Sequence, residues 1–532
     1  MRPSLRLTFL APLLLSVSLP ALAQTDTDQP ATPPLTMEQV EAAWAQGDHV
    51  TVRNGLEQLA RDTENPLALL RYGRVLLEGL GGPHDPEAAI HWLQKAVDQD
   101  YAPAATLLAR IFLTGSATGV DRDPARAAAL LARSATRGDA EAQYYLGLLT
   151  AAGEGVPKDE AAALNWLLAA AEQQHVEAQY ELSKAYSQGK GAPKDPTKAY
   201  RWLQSAAGNN HAEAQYFLAH ALDTGQGPPQ DRDQAREWYR RAAEQGLPLA
   251  QRRLGTIYMR GDGVDKNPVE ALRWLTAAAD AGDPGAMNNL GLMYFTGDGI
   301  DKDAGQARHW YGQAAETGLG RAMLALAVLQ ETGQGGPQDL PGAVKLYRQA
   351  ADLNTPGATT QLGRLVINGT LGPDQIAPHE ALSWIAPLAR DGQEDALAWI
   401  TARAEDGLRA ARTELGLLRL AQDPAAAAVL LTEAAEAGDM RAQLELGRMH
   451  GAGDGVAQDY VAAHAWYNLA AASGSAKAAE QRDILGNLLT PDQIAAAQTR
   501  ARVLFDKVAA STPVRADSAA QTGGQTSTQA GE

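Results

Sequence analysis

The sequence predicts an all-α chain, a stacked array of about eleven helix-turn-helix repeats of roughly 36 residues with helical caps. Three observations carry this. A glycine returns at Gly153, Gly189, Gly225, Gly261, Gly297, Gly333 and Gly369, and a tryptophan at Trp166, Trp202, Trp238, Trp274 and Trp310, always 36 residues apart. Within one unit, Ala142, Tyr145, Leu146 and Leu149 show the i, i+3, i+4, i+7 spacing of a helical face. Between the two halves of each unit a residue that caps helix N-termini recurs, as Asp159, Asp195, Asp231, Asn267, Asp303 and Asp339.

Met1 to Ala23 joins Arg2 and Arg6 to an apolar run from Leu7 to Leu19 and ends in Ala21-Leu22-Ala23, the pattern of a cleaved secretory signal. The run is shorter than the roughly 20 residues a membrane span needs, and no other stretch qualifies. Cysteine is absent, so no lipid-accepting cysteine and no disulfide is available. The mature protein is therefore expected free in the periplasm or secreted, after cleavage following Ala23. Residues 24–36 are polar and proline-rich and read as a disordered linker, and 37–65 as an N-terminal helical cap.

The array itself is expected over 66–392. In each unit the first helix ends at a glycine free to adopt the left-handed cap conformation, and a second glycine, such as Gly155, loosens the following turn. Pro196 and Pro268 stand where the second helix begins, a position that does not need the N–H proline lacks. Alanines at 163, 199, 235, 271, 307 and 343 let the two helices approach closely, and the tryptophan, or Leu130 and Leu346 in its place, is expected to fill the gap between helix pairs. From 356 the pattern degrades: Pro373, Pro378 and Pro387 appear, and Trp384 to Leu430 spans 46 residues. An extra helix is expected at 393–408, either a hinge between two sub-arrays or a firmly packed element that resets the curvature. A second short array follows over 409–474, then a C-terminal helical cap over 475–510 and a disordered tail over 511–532.

The repeat reads A-x-x-x-L-G-x-x-Y-x-x-G-x-G-V-x-x-D-x-x-x-A-x-x-W-x-x-A-A-x-x-G. It resembles the Sel-one-like repeat (SLR) family of the tetratricopeptide-repeat superfamily, over about 66 to 474. The resemblance implies an α/α superhelical solenoid that serves as a protein-interaction scaffold, not a catalyst. In such arrays the inner face is lined by outward positions of the first helix, which here are Tyr144, Tyr180, Lys184, Tyr216, His220, Arg252 and Asn288, with Glu141, Glu177 and Glu213 beside them. Aligned tyrosines suit a peptide or extended segment; alternatively they pack on the neighbouring helix.

Other chemistries find little support. The formal net charge is −17, and −19 once Arg2 and Arg6 leave with the signal, so nucleic acid is not an expected partner. The loops GEGVPKD and GDGVDKN follow a helix and lack the Gly-Lys-Ser/Thr ending of a phosphate cradle; Asp298, Asp301 and Asp303 lack EF-hand spacing. Ser187 and Lys190 form an S-x-x-K without the companion motifs of penicillin-recognising enzymes, and His175 and His211 have no further ligands in view. No catalytic, cofactor-binding or metal-ligating residue is assigned. The expected partners are envelope proteins or extended peptide segments; the alternative is a polysaccharide- or peptidoglycan-binding accessory role.

Overall fold

The computed structural model describes residues 35–115 and 119–511. The signal segment 1–23, linker residues 24–34 and tail residues 512–532 lie outside the described residues. Every regular element among the described residues is a helix, and most come in pairs joined by a short loop. Contacts divide the chain into two compact units, Met1–Pro229 and Gln230–Glu532.

The first unit opens with helices Met37–Ala45 and His49–Asp62, continues through pairs such as Ala140–Ala152 with Glu160–Glu172 and Val176–Gln188 with Pro196–Gly208, and ends on Ala212–Thr224. The second begins at Arg232–Glu244 and contains pairs such as Pro284–Thr296 with Ala304–Glu316 and Gly320–Thr332 with Leu340–Asp352. The division falls inside the expected 66–392 array; no unit boundary falls at 393–408.

Each pair begins and turns by local chemistry. Asp159, Asp195, Asp231, Asn267, Asp303 and Asp339 all cap the second helix, their side chains accepting from first-turn amides. The same residue ties the loop back, since the Asp159 N–H donates to the Thr150 carbonyl at 3.0 Å and that of Asp339 to Gln330 at 2.9 Å. The first loop glycine ends the first helix in the left-handed region, with φ 73° at Gly153. The second glycine does more than loosen a turn. A Cβ on Gly335 would collide with the Ala304 carbonyl, where the preceding repeat's second helix begins, and one on Gly155 would collide likewise with Pro124. That glycine is a contact surface between repeats.

The tryptophan column departs from expectation. Trp274 is buried, but Trp166, Trp202, Trp238 and Trp310 are only half-buried. The fully packed position is the next residue: Leu131, Leu167, Tyr239, Leu275, Tyr311 and Tyr347 are all buried. The reason lies in the first helix. A Cβ on Gly147 would stand 3.0 Å from Leu167, on Gly255 2.7 Å from Leu275 and on Gly291 2.7 Å from the Tyr311 ring. The large side chain of one helix thus occupies the space left by a missing side chain on the other, while the alanines beside it, Ala271, Ala278, Ala307 and Ala314 among them, are completely buried.

A further column joins one repeat to the next. The side-chain amides of Gln143, Gln179 and Gln215 donate to the carbonyls of Ala135, Ala171 and Ala207, at the end of the preceding second helix. Gln251 and Gln443 repeat the contact in the second unit, on Ala243 and Ala435. His175 and His211 add another device: each caps its helix by accepting the Ala178 or Ala214 N–H at Nδ1, at 3.3 and 3.2 Å. Burial holds both imidazoles below their ordinary range, against the opposing pull of Glu177 and Glu213.

In the degraded region, helix Glu394–Glu405 buries Ala396, Ile400 and Ala404 in one cluster with Tyr347, Ile385 and Leu415. The segment 393–408 thus shares its core with the helices before and after it. Glu414, 2 % exposed, receives the guanidinium groups of Arg390 and Arg441 from the helices on either side. A buried carboxylate is tolerated there because two cations compensate it.

Three outcomes follow from this packing. Tyr311→Ala should cost about 3–5 kcal/mol in denaturant unfolding and Trp310→Ala about half as much, reversing the order the tryptophan repeat suggests. Gly246 has φ +85° and open space where a Cβ would stand, whereas Gly335 has φ +73° and a collision. Gly246→Ala should therefore cost about 1–2 kcal/mol, and Gly335→Ala about 1–3 kcal/mol beyond that, in the same measurement. Finally, an unfolded histidine takes up its proton at a higher pH than the capped rings do. The stability they contribute is full above about pH 6.5 and declines as the pH falls from there toward their lowered values. Melts at about pH 7.5 and 5.5 should show a smaller Tm loss for the double variant His175→Asn, His211→Asn, which keeps the caps without the titration.

Candidate protein-binding surface

In the first unit, one position of successive first helices carries Tyr144, Tyr180 and Tyr216, all half-buried. The rings of Tyr144 and Tyr180 do not stand free. Tyr144 stacks on His175 with centroids 4.7 Å apart, and Tyr180 tilts over His211 at 4.4 Å. Each tyrosine thus rests on the capping histidine of the next repeat, a contact between residues one repeat apart. Burial pushes the Tyr144 hydroxyl well above its usual range and that of Tyr180 up to about 12, with nearby glutamates acting in the same direction. Both phenols are accordingly protonated at neutral pH and available as donors.

The surface is completed by a residue outside the expected set. Phe217 is 45 % exposed, stacks on Tyr180 at 6.3 Å and meets Tyr216 edge-on at 5.3 Å. Glu141, Glu177 and Glu213 are exposed beside these rings. Glu141 pairs with Arg110 at 3.3 Å, while Glu177 and Glu213 approach the capping histidines. Lys184 lies over the Tyr180 ring at 5.2 Å and pairs with Glu181 at 2.7 Å. His220 is exposed on the same helix as Tyr216.

Two of the expected residues belong to the second unit. Arg252 pairs with Asp283, the N-cap of helix Pro284–Thr296, at 3.1 Å. Asn288 is half-buried on that helix, where its neighbour Asn289 donates to Thr256 at 3.1 Å. Ser187 of the S-x-x-K donates to the Lys184 carbonyl at 2.9 Å, in the last turn of its helix. Among the described residues, no group of three or more His, Cys, Asp or Glu is placed to hold a metal ion. No described helix is long and apolar enough to cross a membrane.

Partly exposed aromatic rings with flanking carboxylates have the chemistry of a recognition surface: rings give contact area at low entropic cost, and charges set which partners approach. Phe217 is visible in principle in the sequence as an apolar residue at an exposed helical position. The histidine contacts carry no local signal, since they arise only when repeats stack.

The profile of the Sel1 repeat matches ten segments of the chain: 66–101, 102–139, 140–175, 176–211, 212–247, 248–283, 284–319, 320–355, 411–439 and 441–475. The crystal structure of a protective antigen of uropathogenic Escherichia coli, which displays an SLR fold, is similar with a TM-score of 0.58 and 27 % identity, over 88 % of this chain and 99 % of that one. A Sel1 repeat protein from Oxalobacter formigenes is 29 % identical with a TM-score of 0.44, over 62 % of this chain and 90 % of that one. No curated protein matches. Proteins built from this repeat are generally scaffolds for protein–protein interaction. With repeats matched over well more than half its length and a pair geometry to go with them, the chain belongs to the Sel1 repeat family.

Proposed function

We propose that this protein is an exported, non-enzymatic scaffold that binds other proteins of the bacterial cell envelope. The observation that carries the binding surface is the exposed Phe217 ring, held by stacking on Tyr180 and bordered by Glu177 and Glu213. An aromatic ring kept at the surface by its neighbours is ordered before a partner arrives, so docking costs little conformational entropy on this side. Tyr144, Tyr180, Lys184, Tyr216 and His220 form its setting in the first unit, and Arg252 and Asn288 are the corresponding positions in the second. Export rests on the pattern of Met1 to Ala23, which calls for mature protein beginning at Gln24.

The test is site-specific photo-crosslinking of the full chain in its native cell. A crosslinker in place of Lys184 or His220 should give a discrete protein adduct, recovered from the soluble envelope fraction on a chain whose first residue is Gln24. The same group in place of exposed Asn165, on helix Glu160–Glu172, should give none. Equal adducts from all three positions would remove the case for this face.

A further inference from the structure

Three tryptophans of the repeat are covered by a cation of their own helix. Lys95 lies 4.6 Å from the centroid of Trp92, Arg241 4.6 Å from Trp238 and Arg273 4.6 Å from Trp274. At Trp274 the cover is complete, because the indole N–H also donates to Glu270 at 2.9 Å, and Arg273 reaches that carboxylate at 3.5 Å. There the ring is closed against solvent and the cation is neutralised.

Among the described residues Trp202, like Trp166 and Trp310, has no such covering cation, but unlike them it has a Lys or Arg both four residues and one residue before it. Lys198 stands one turn before it, where Trp274 has Glu270, and Ser205 stands where Trp238 has Arg241. Arg201 precedes Trp202 as Arg273 precedes Trp274 and is likewise exposed, but among the described residues it has no carboxylate or hydrogen-bond partner. What results is an open cavity of about 440 Å³ on the first unit, lined by Leu168, Tyr186, Lys198, Arg201, Trp202 and Ser205. Lys198 lies 5.2 Å from the Tyr186 ring and only 3.7 Å from the nearest oxygen of Asp195, whose other oxygen is occupied in capping the helix. Among the described residues no carboxylate lines the cavity, although the chain carries a net charge of −17.

We propose that this cavity binds a carboxylated saccharide unit. The volume falls in the range of small-ligand sites and suits one or two sugar rings. The indole offers a flat apolar face for the C–H side of a pyranose and its N–H for a hydroxyl. Arg201 offers a fork matched to a carboxylate, and Lys198 a second positive charge on the same rim. Local charge opposite to that of the whole molecule selects an acidic sugar over a neutral one. The site is separate from the Tyr180–Phe217 surface and does not rest on the scaffold reading.

Calorimetric titration of the mature full chain with trigalacturonic acid and with maltotriose decides the matter. The acidic trisaccharide should bind at least about tenfold more tightly than the neutral one, and weaken as salt is raised. Arg201→Glu should reduce its affinity at least about tenfold, and Trp202→Phe, which keeps a ring, much less than Trp202→Ala. Because Arg201 is exposed and unpaired, Arg201→Glu leaves the fold intact, which circular dichroism verifies, so this variant decides even where Trp202→Ala fails to fold. Absence of binding at about 10 mM ligand, equal affinity for both trisaccharides, or unchanged affinity in Arg201→Glu would each overturn the proposal.

Discussion

A large side chain on one helix seated against a residue with no side chain on its partner is the contact on which each repeat depends. Leu167 on Gly147, Leu275 on Gly255 and Tyr311 on Gly291 are the same contact three times. It sets how closely the two helices approach, and the buried alanines beside it leave no room for another separation. Loop length follows: only at this spacing can the N-capping aspartate of the second helix also donate its own N–H to the end of the first.

Between repeats the restraint passes to the backbone. The second loop glycine admits the carbonyl of the preceding helix, and the glutamine column returns a hydrogen bond to that helix's last turn. Apolar packing alone is nondirectional and would tolerate sliding. A directed bond at one end of the interface and a close backbone approach at the other fix the register. The Tyr144–His175 and Tyr180–His211 contacts belong to the same layer, which makes the candidate surface a product of stacking and not of any one repeat.

This division explains what the sequence made legible. Helix starts, stops and the small alanine columns can be read directly because aspartate at a cap and glycine at φ 73° act within a few residues. The core column lies one position beyond the one the tryptophans suggest. Tryptophan repeats by identity and draws the eye, whereas the buried site alternates between Leu275, Tyr311 and Tyr347 and repeats only by size. Likewise the positions of Tyr144, Tyr180 and Phe217 are legible, but the histidine partners of the tyrosines and the stacking of Phe217 on Tyr180 are not, because those contacts join residues in different repeats. Segment 393–408 leaves two readings open for the same reason: Ile400 and Ala396 are ordinary in sequence, and only their shared cluster with Ile385 shows how they pack.

The glutamine column has a consequence for how such a chain changes over generations. Gln143, Gln179 and Gln215 each bond the carbonyl of an alanine at the end of the preceding helix, so the joint on one side of a repeat has the same chemistry as the joint on the other. A recombination event that duplicates or removes one whole repeat presents every new neighbour with the bond it would have found before. Length can then drift by whole repeats with little loss of folding, whereas gain or loss of a residue inside a helix turns the side chains beyond it off their face. The 36-residue step, kept from Gly153 to Gly333, is what such a filter leaves behind.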